Sequence, residues 1–267
     1  MSASVYIFDL RGLVKPTHTT PARQGGKLRP HYSTNQAQRQ SRAAAREAGG
    51  IDRIVLHQWA AEVDPLPQSS DRDDALKLAC RAAGIFVDGR SRGIGGAPYH
   101  ISVSATRRGS GVVALVWPRS EHTFHAGTEN ARSIGVGVMG RFERDEEGPE
   151  RPGLPDALAW ALALAAGMVR GDDADAHLDT LSATPVPSAP GSDGWRMDGP
   201  PPLPEDPPVL LATHSQSDRK PADPGLYVVK HGVAPAAAAG LVRVEPEWST
   251  GKGQPWPDSW RRALASV

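Results

Sequence analysis

The chain has 267 residues, 39% of them hydrophobic, enough for a sizeable core. Its 30 basic and 30 acidic residues cancel, so no global field favours nucleic acid, a membrane surface or a polyanionic substrate. A lone cysteine, Cys80, excludes an intramolecular disulfide framework, and the longest apolar run, 157–169, is too short to span a bilayer.

In chain order, 5–10 reads as a short strand. The start lacks a basic n-region and Asp9 interrupts its apolar run, so synthesis in the cytoplasm without a Sec leader is expected. Residues 13–48 are rich in Gln, Arg, Ser, Thr and Pro with almost no apolar periodicity. The segment 1–48 therefore reads as a basic arm or linker with solvated arginines. After Gly49-Gly50, Ile54, Val55 and Leu56 form a buried type of strand ending on His57. A histidine there is ordinarily a satisfied polar residue, and becomes a candidate ligand only in company.

Ser70 at N-cap and Asp73 at N3 open a helix that runs to about Ala83 before Gly84, with Cys80 as a buried thiol. Gly93, Gly95 and Gly96 precede a strand and no G-K-[ST] follows, so they are not a phosphate loop. Ile101, Val103 and Ala105 alternate with Ser102 and Ser104, and Gly109-Ser110-Gly111 turns the chain into 112–116, giving a β-hairpin. A polar loop from 121 feeds a strand at 134–139. A helix follows at about 155–169, with Leu158, Leu162, Ala165 and Val169 on one face. Residues 171–208, rich in Pro, Gly, Asp and Ser, read as a surface insertion. A second apolar strand, 209–213, ends on His214, and a polar loop carries Asp223. The tail has tryptophans at 248, 256 and 260; docking on the domain is the preferred reading over stacking on sugars.

Two strand-end histidines and one carboxylate make a catalytic zinc set. Three protein ligands leave a tetrahedral ion one position for water, whose pKa the metal lowers towards about 7.

The ordered set of a strand ending in His57, a Tyr99-His100 hairpin, His125-Ala126-Gly127, Asn130-x-x-Ser133-Ile134-Gly135, a helix, a strand ending in His214 and Asp223-Pro224-Gly225 resembles the zinc N-acetylmuramoyl-L-alanine amidases of type 2. That family shares its fold with peptidoglycan recognition proteins and amidase-type phage lysozymes, and the match covers roughly 50–226. The resemblance implies an α/β domain with a central mixed β-sheet flanked by helices and a zinc site at strand ends. That domain would span 49–230 with the insertion 171–208, between the arm 1–48 and a tail 231–267.

It also implies Zn2+ held by His57, His214 and Asp223, with aspartate where other branches use cysteine. Tyr99 would lie beside the reacting water. His125 would protonate the leaving amine or grip the substrate, and Asn130 and Ser133 would belong to the substrate-binding segment after it. Lys220 or Arg219 would take the developing negative charge, the register being one residue longer than in relatives. Where some aspartate-branch relatives place a glutamate base, this chain has Gly137, which leaves the base unassigned.

The expected activity is hydrolysis of the amide between N-acetylmuramic acid and L-alanine in peptidoglycan, by a lysin or secreted effector more than by a recycling enzyme. Peptidoglycan or a muropeptide is the expected partner, with neither nucleic acid nor membrane insertion; a secretion or immunity partner is left unassigned. The alternatives are a non-catalytic peptidoglycan-binding module of the same fold, from which the retained Asp223 points away, and a zinc peptidase acting within the stem peptide.

Overall fold

Alternating β-branched and small residues build a mixed sheet of nine strands in the computed structural model. The described residues are 3–11, 13, 22–24, 27–29, 36–59, 70–83, 99–123, 125–140, 142, 151–172, 178, 183–188, 191–203, 205–217 and 223–267. β1 (Ser4–Asp9) is followed by a separate two-stranded ribbon of β2 (Ala22–Gln24) and β3 (Lys27–Arg29), and by helix α1 (Gln36–Gly49). Next come β4 (Arg53–Trp59), α2 (Asp71–Ala82), the hairpin β5 (Ile101–Ala105) and β6 (Gly111–Leu115), then β7 (Ser133–Met139) and α3 (Gly153–Arg170). β8 (Thr184–Pro185) and β9 (Asp193–Asp198) precede β10 (Val209–Thr213) and a single turn, α4 (His214–Ser217). Short helices α5 (Leu226–Val228) and α6 (Ala234–Ala238), β11 (Val242–Val244) and α7 (Asp258–Ala265) finish the chain.

The sheet order is β11-β10-β4-β7-β5-β6-β1-β9-β8, parallel from β11 to β5. The strand period of two sends Ile54, Leu56, Ile134, Val136, Ile101 and Val103 into one core beneath α3. It sends Val55, His57, Gly135, Gly137 and Ser102 to the opposite face, where α2 and the site lie. The central strands are buried on both faces, as parallel strands in α/β proteins are.

Several elements depart from the sequence-based expectation. β4 does not end on His57 but continues to Trp59, because β7 keeps pairing with it through Trp59 and Met139. The serines that alternate with the apolar residues of β5 are themselves buried. α3 is buried almost all round, Trp160 and Leu164 included, because the helical turn Val229–Val233 packs on it as well as the sheet, and Trp160 Nε1 donates to Gly199 O. The expected arm supplies β1, which lies between β6 and β9, and α1. The expected insertion supplies β9, with Met197 buried. The tail, by contrast, docks on the domain as expected: β11 pairs with β10, and Trp256 and Trp260 are buried in an edge-to-face pair. At the start of α2 the Ser70 side chain accepts from Asp73 N; Gly84 and the glycines at 93–96 lie outside the described residues.

Candidate metal centre

β4 and β10 pair as far as Leu56 and Thr213. β10 then turns into α4 at His214 while β4 runs on, so His57 stands just past the end of its neighbour. Here Gln58 N donates to Asp223 Oδ1 at 2.6 Å, a carboxylate taking the place of a strand carbonyl. Ser215 N also donates to Asp223 O at 3.1 Å, which ties the Asp223 loop to α4.

His57, His214 and Asp223 are buried, and each offers a ligand atom within 4.8 Å of the other two. The His57 and His214 rings are 4.4 Å apart between centroids, and His214 Nδ1 lies 2.8 Å from Asp223 Oδ2. Ligands at about 2.0–2.1 Å around a tetrahedral zinc stand about 3.3 Å apart, between the 2.8 Å of the His214–Asp223 contact and the 4.8 Å within which all three ligand atoms lie, so small side-chain adjustments bring the set to the ion. Two imidazoles and one carboxylate, withdrawn from water at the edge of a strand layer, are the donors a borderline-soft divalent metal prefers.

Tyr99 packs on the same face, with its ring centroid 5.1 Å from that of His57. Burial and then the Asp223 carboxylate push its phenol above the usual range, so it is a hydrogen-bond donor at neutral pH. Its ring lies directly over Gly137: a Cβ there would sit 2.3 Å from Tyr99 Cδ2. A glutamate at 137 has no room while Tyr99 keeps this position, which gives the sequence departure a physical cause.

His125 is held from several sides. Asn130 Oδ1 accepts from His125 N at 3.0 Å and from Ala126 N at 2.6 Å, which folds the 3-10 turn Gly127–Ala131 beneath it. The ring lies against bare backbone at Gly135, where a Cβ would come within 2.7 Å of His125 Cγ. His57 Nε2 lies 2.9 Å from His125 Nδ1, and Ser133 Oγ is 3.3 Å from His125 Nε2. Asn130 and Ser133 are buried, and their side-chain hydrogen bonds run inside this segment. Lys220 and Arg219 lie outside the described residues.

Two neighbours had no role in the sequence reading. Arg46 is fully buried on α1 while Ala44 and Ala45 on the same helix are exposed. Its guanidinium donates to Arg119 O at 2.8 Å, Asn130 O at 2.5 Å and Ser133 O at 2.6 Å. Burial, and next Arg119, push it down to about 10, so it stays charged at neutral pH with carbonyls as its partners. His100 accepts from Gly135 N at Nδ1 (3.0 Å) and lies 2.9 Å from Glu121 O at Nε2. The first contact requires a bare Nδ1, so Nε2 carries the proton and donates to Glu121 O. Burial and then Arg46 hold His100 well below the ordinary histidine pKa, in keeping with a neutral ring. Arg46 was hidden because its carbonyl partners are contributed by residues as far as 87 positions further on.

No family model matches the chain, and no curated protein sequence matches it. Among solved structures it is similar to Endolysine N-acetylmuramoyl-L-alanine amidase LysCS from Clostridium intestinale URNW, at 15% identity and a TM-score of 0.31, over 66% of this chain and 76% of that one. It is also similar to N-acetylmuramoyl-L-alanine amidase LysC from Clostridium intestinale URNW, at 20% identity and a TM-score of 0.27, over 46% of this chain and 64% of that one. Among the described residues no helix is long and apolar enough to cross a membrane.

Proposed function

We propose that this chain is a zinc-dependent hydrolase that cleaves the amide bond between N-acetylmuramic acid and L-alanine in peptidoglycan. The observation that carries the proposal is the convergence of buried His57, His214 and Asp223 within 4.8 Å of one another beside the end of β10, in a chain whose motif order matches that chemistry. Both similar solved structures bear this activity in their names; the proposal rests on the donor set and the motifs.

Water adds to the lactyl carbonyl carbon, the C–N bond to L-alanine breaks, and the amine leaves with a proton. Water is a poor nucleophile and the tetrahedral oxyanion is costly in a low dielectric. Zinc, when bound by the three ligands, supplies Lewis acidity and acidifies water towards about pH 7. Asp223 is fixed by the Gln58 amide, which leaves Oδ2 for the ion. Tyr99, kept protonated by burial and the neighbouring carboxylate, donates to the carbonyl oxygen as negative charge develops. Lys220 or Arg219, shortly before Asp223 in the sequence, adds positive charge. Tyr99 in place of a side chain at 137 means that no carboxylate base comes from β7.

The test is mass spectrometry of soluble products after incubation with purified peptidoglycan, with and without a zinc chelator. Free stem peptides beginning at L-alanine, lost with chelator and in His57→Ala and Asp223→Ala, are the expected result. Metal-replete protein that binds the polymer but releases no such peptides overturns it in favour of a binding module.

A further inference from the structure

The hydrogen bonds behind His57 form a directed chain whose first member is an acceptor only. Ser133 Oγ donates to Glu129 O at 2.6 Å, so its proton is committed and its oxygen can only accept from His125 Nε2, 3.3 Å away. The Nε2 of His125 therefore carries a proton. The ring is buried against backbone, with His57 and the Ser133 hydroxyl at its two nitrogens, and neither supplies the negative charge that a buried imidazolium requires. It is a neutral ring with a bare Nδ1. The nitrogen facing that lone pair at 2.9 Å is His57 Nε2, so His57 donates its Nε2–H and presents its Nδ1 lone pair elsewhere.

From this we infer that His125 is a positioning residue, not a proton donor to substrate: it fixes the tautomer and the ring plane of His57 so that Nδ1 is the metal-binding atom. The role usually filled by a carboxylate or a backbone carbonyl behind a ligating histidine falls here to a second, neutral imidazole. The surroundings are built for it. Gly135 leaves space for the ring to lie flat on β7, and a side chain there would push it off its partner. Asn130 Oδ1 holds the backbone of His125 and Ala126, and the near-perpendicular His57 and His125 rings, 85° between planes, place one N–H on one lone pair. The inference rests on the proposed zinc site but not on the bond that is cleaved.

The experiment has two readings on the full chain. Long-range 1H–15N NMR of the histidine rings in metal-free protein at neutral pH reports the tautomer directly; His57 is expected as the Nε2–H form, and the Nδ1–H form overturns the inference. Zinc affinity, measured by competition with a chromogenic chelator, is expected to weaken about 10- to 100-fold in His125→Phe, which removes the acceptor. His125→Gln, whose carbonyl oxygen can accept the same N–H, is expected to recover part of that loss while circular dichroism shows both variants folded. Unchanged affinity in His125→Phe, or equal losses in the two variants, overturns the assignment. If His125→Phe loses affinity as expected but wild-type protein releases no stem peptide, the proposed activity falls and the positioning role stands. If stem peptides appear and affinity is indifferent to residue 125, the reverse holds.

Discussion

The two ends of the chain brace the two histidine ligands by opposite chemistry. On the His57 side, the brace supplied by the start of the chain is one cation: Arg46 reaches from α1 to carbonyls at 119, 130 and 133, and so pins both ends of the segment that carries His125. On the His214 side the bracing is neutral and distributed. Gln216 of α4 gives its two amide protons to Glu245 O and Trp248 O and accepts from Thr213 N with its oxygen. Thr250 N and Gln254 N donate to Gln216 O and Ser215 O, and Trp256 Nε1 reaches Thr213 Oγ1 at 3.1 Å. A buried charge concentrates support in one residue, whereas a docked tail spreads it over many, each individually modest.

Deleting 245–267 tests the distributed brace and has the largest expected effect. It removes Trp256 and Trp260, both about 1% exposed, and losing a buried tryptophan typically costs about 3–5 kcal/mol. Two such losses rival the whole stability of a domain, about 5–15 kcal/mol. The truncated chain is expected to lose its cooperative thermal transition and its zinc binding together. A truncated chain that keeps both would make the tail an appendage after all.

Arg46→Met comes next. It leaves three inward-facing carbonyls without their donor and is expected to cost about 3 kcal/mol, as removal of one partner of a buried charged network does. Urea unfolding measures it. Arg46→Lys should restore only part, because one ammonium cannot span three carbonyls that a planar guanidinium fork reaches. A loss under about 0.5 kcal/mol, the size usual for an exposed surface position, would mean the brace is idle.

This asymmetry also explains what the sequence discloses and what it hides. The strand holding His57, the strand leading into His214, the hairpin and the capped α2 follow from local patterns: apolar runs, a Gly-Ser-Gly turn, and a serine three residues before an acid. The convergence of His57, His214 and Asp223 was legible because motif order carries it, although 165 positions separate Gln58 from the carboxylate that meets its amide. Arg46 was not legible. A charged residue among exposed alanines has the local pattern of a solvated face, and its burial is set wholly by carbonyls on a distant loop. Likewise the small residues of β7 give no local sign that Gly135 and Gly137 are beds for His125 and Tyr99. The Trp256 partner at Thr213 lies 43 positions back, so a tail rich in tryptophan reads alone as either docked or sugar-binding.

The smallest effect is one of pH, and it probes the Arg46 side. His100 is neutral in the fold: protonating Nδ1 would set two donors against each other at Gly135 N, beside a guanidinium 3.2 Å from the ring. Its folded pKa is therefore well below the ordinary value, by burial first and Arg46 second. The unfolded chain takes up a proton as pH falls through about 6.5, while the fold does not. The stability tied to His100 is therefore complete above that pH and declines below it, by up to about 1.4 kcal/mol per pH unit for one such group. Urea midpoints of chelated protein between pH 8 and 5 should show this decline, and His100→Gln should flatten it by close to one proton. An unchanged slope would mean that His100 is already charged in the fold. Its contact with Gly135 N could not then be a hydrogen bond, and the Arg46 guanidinium would brace the segment that carries His125 without help from His100.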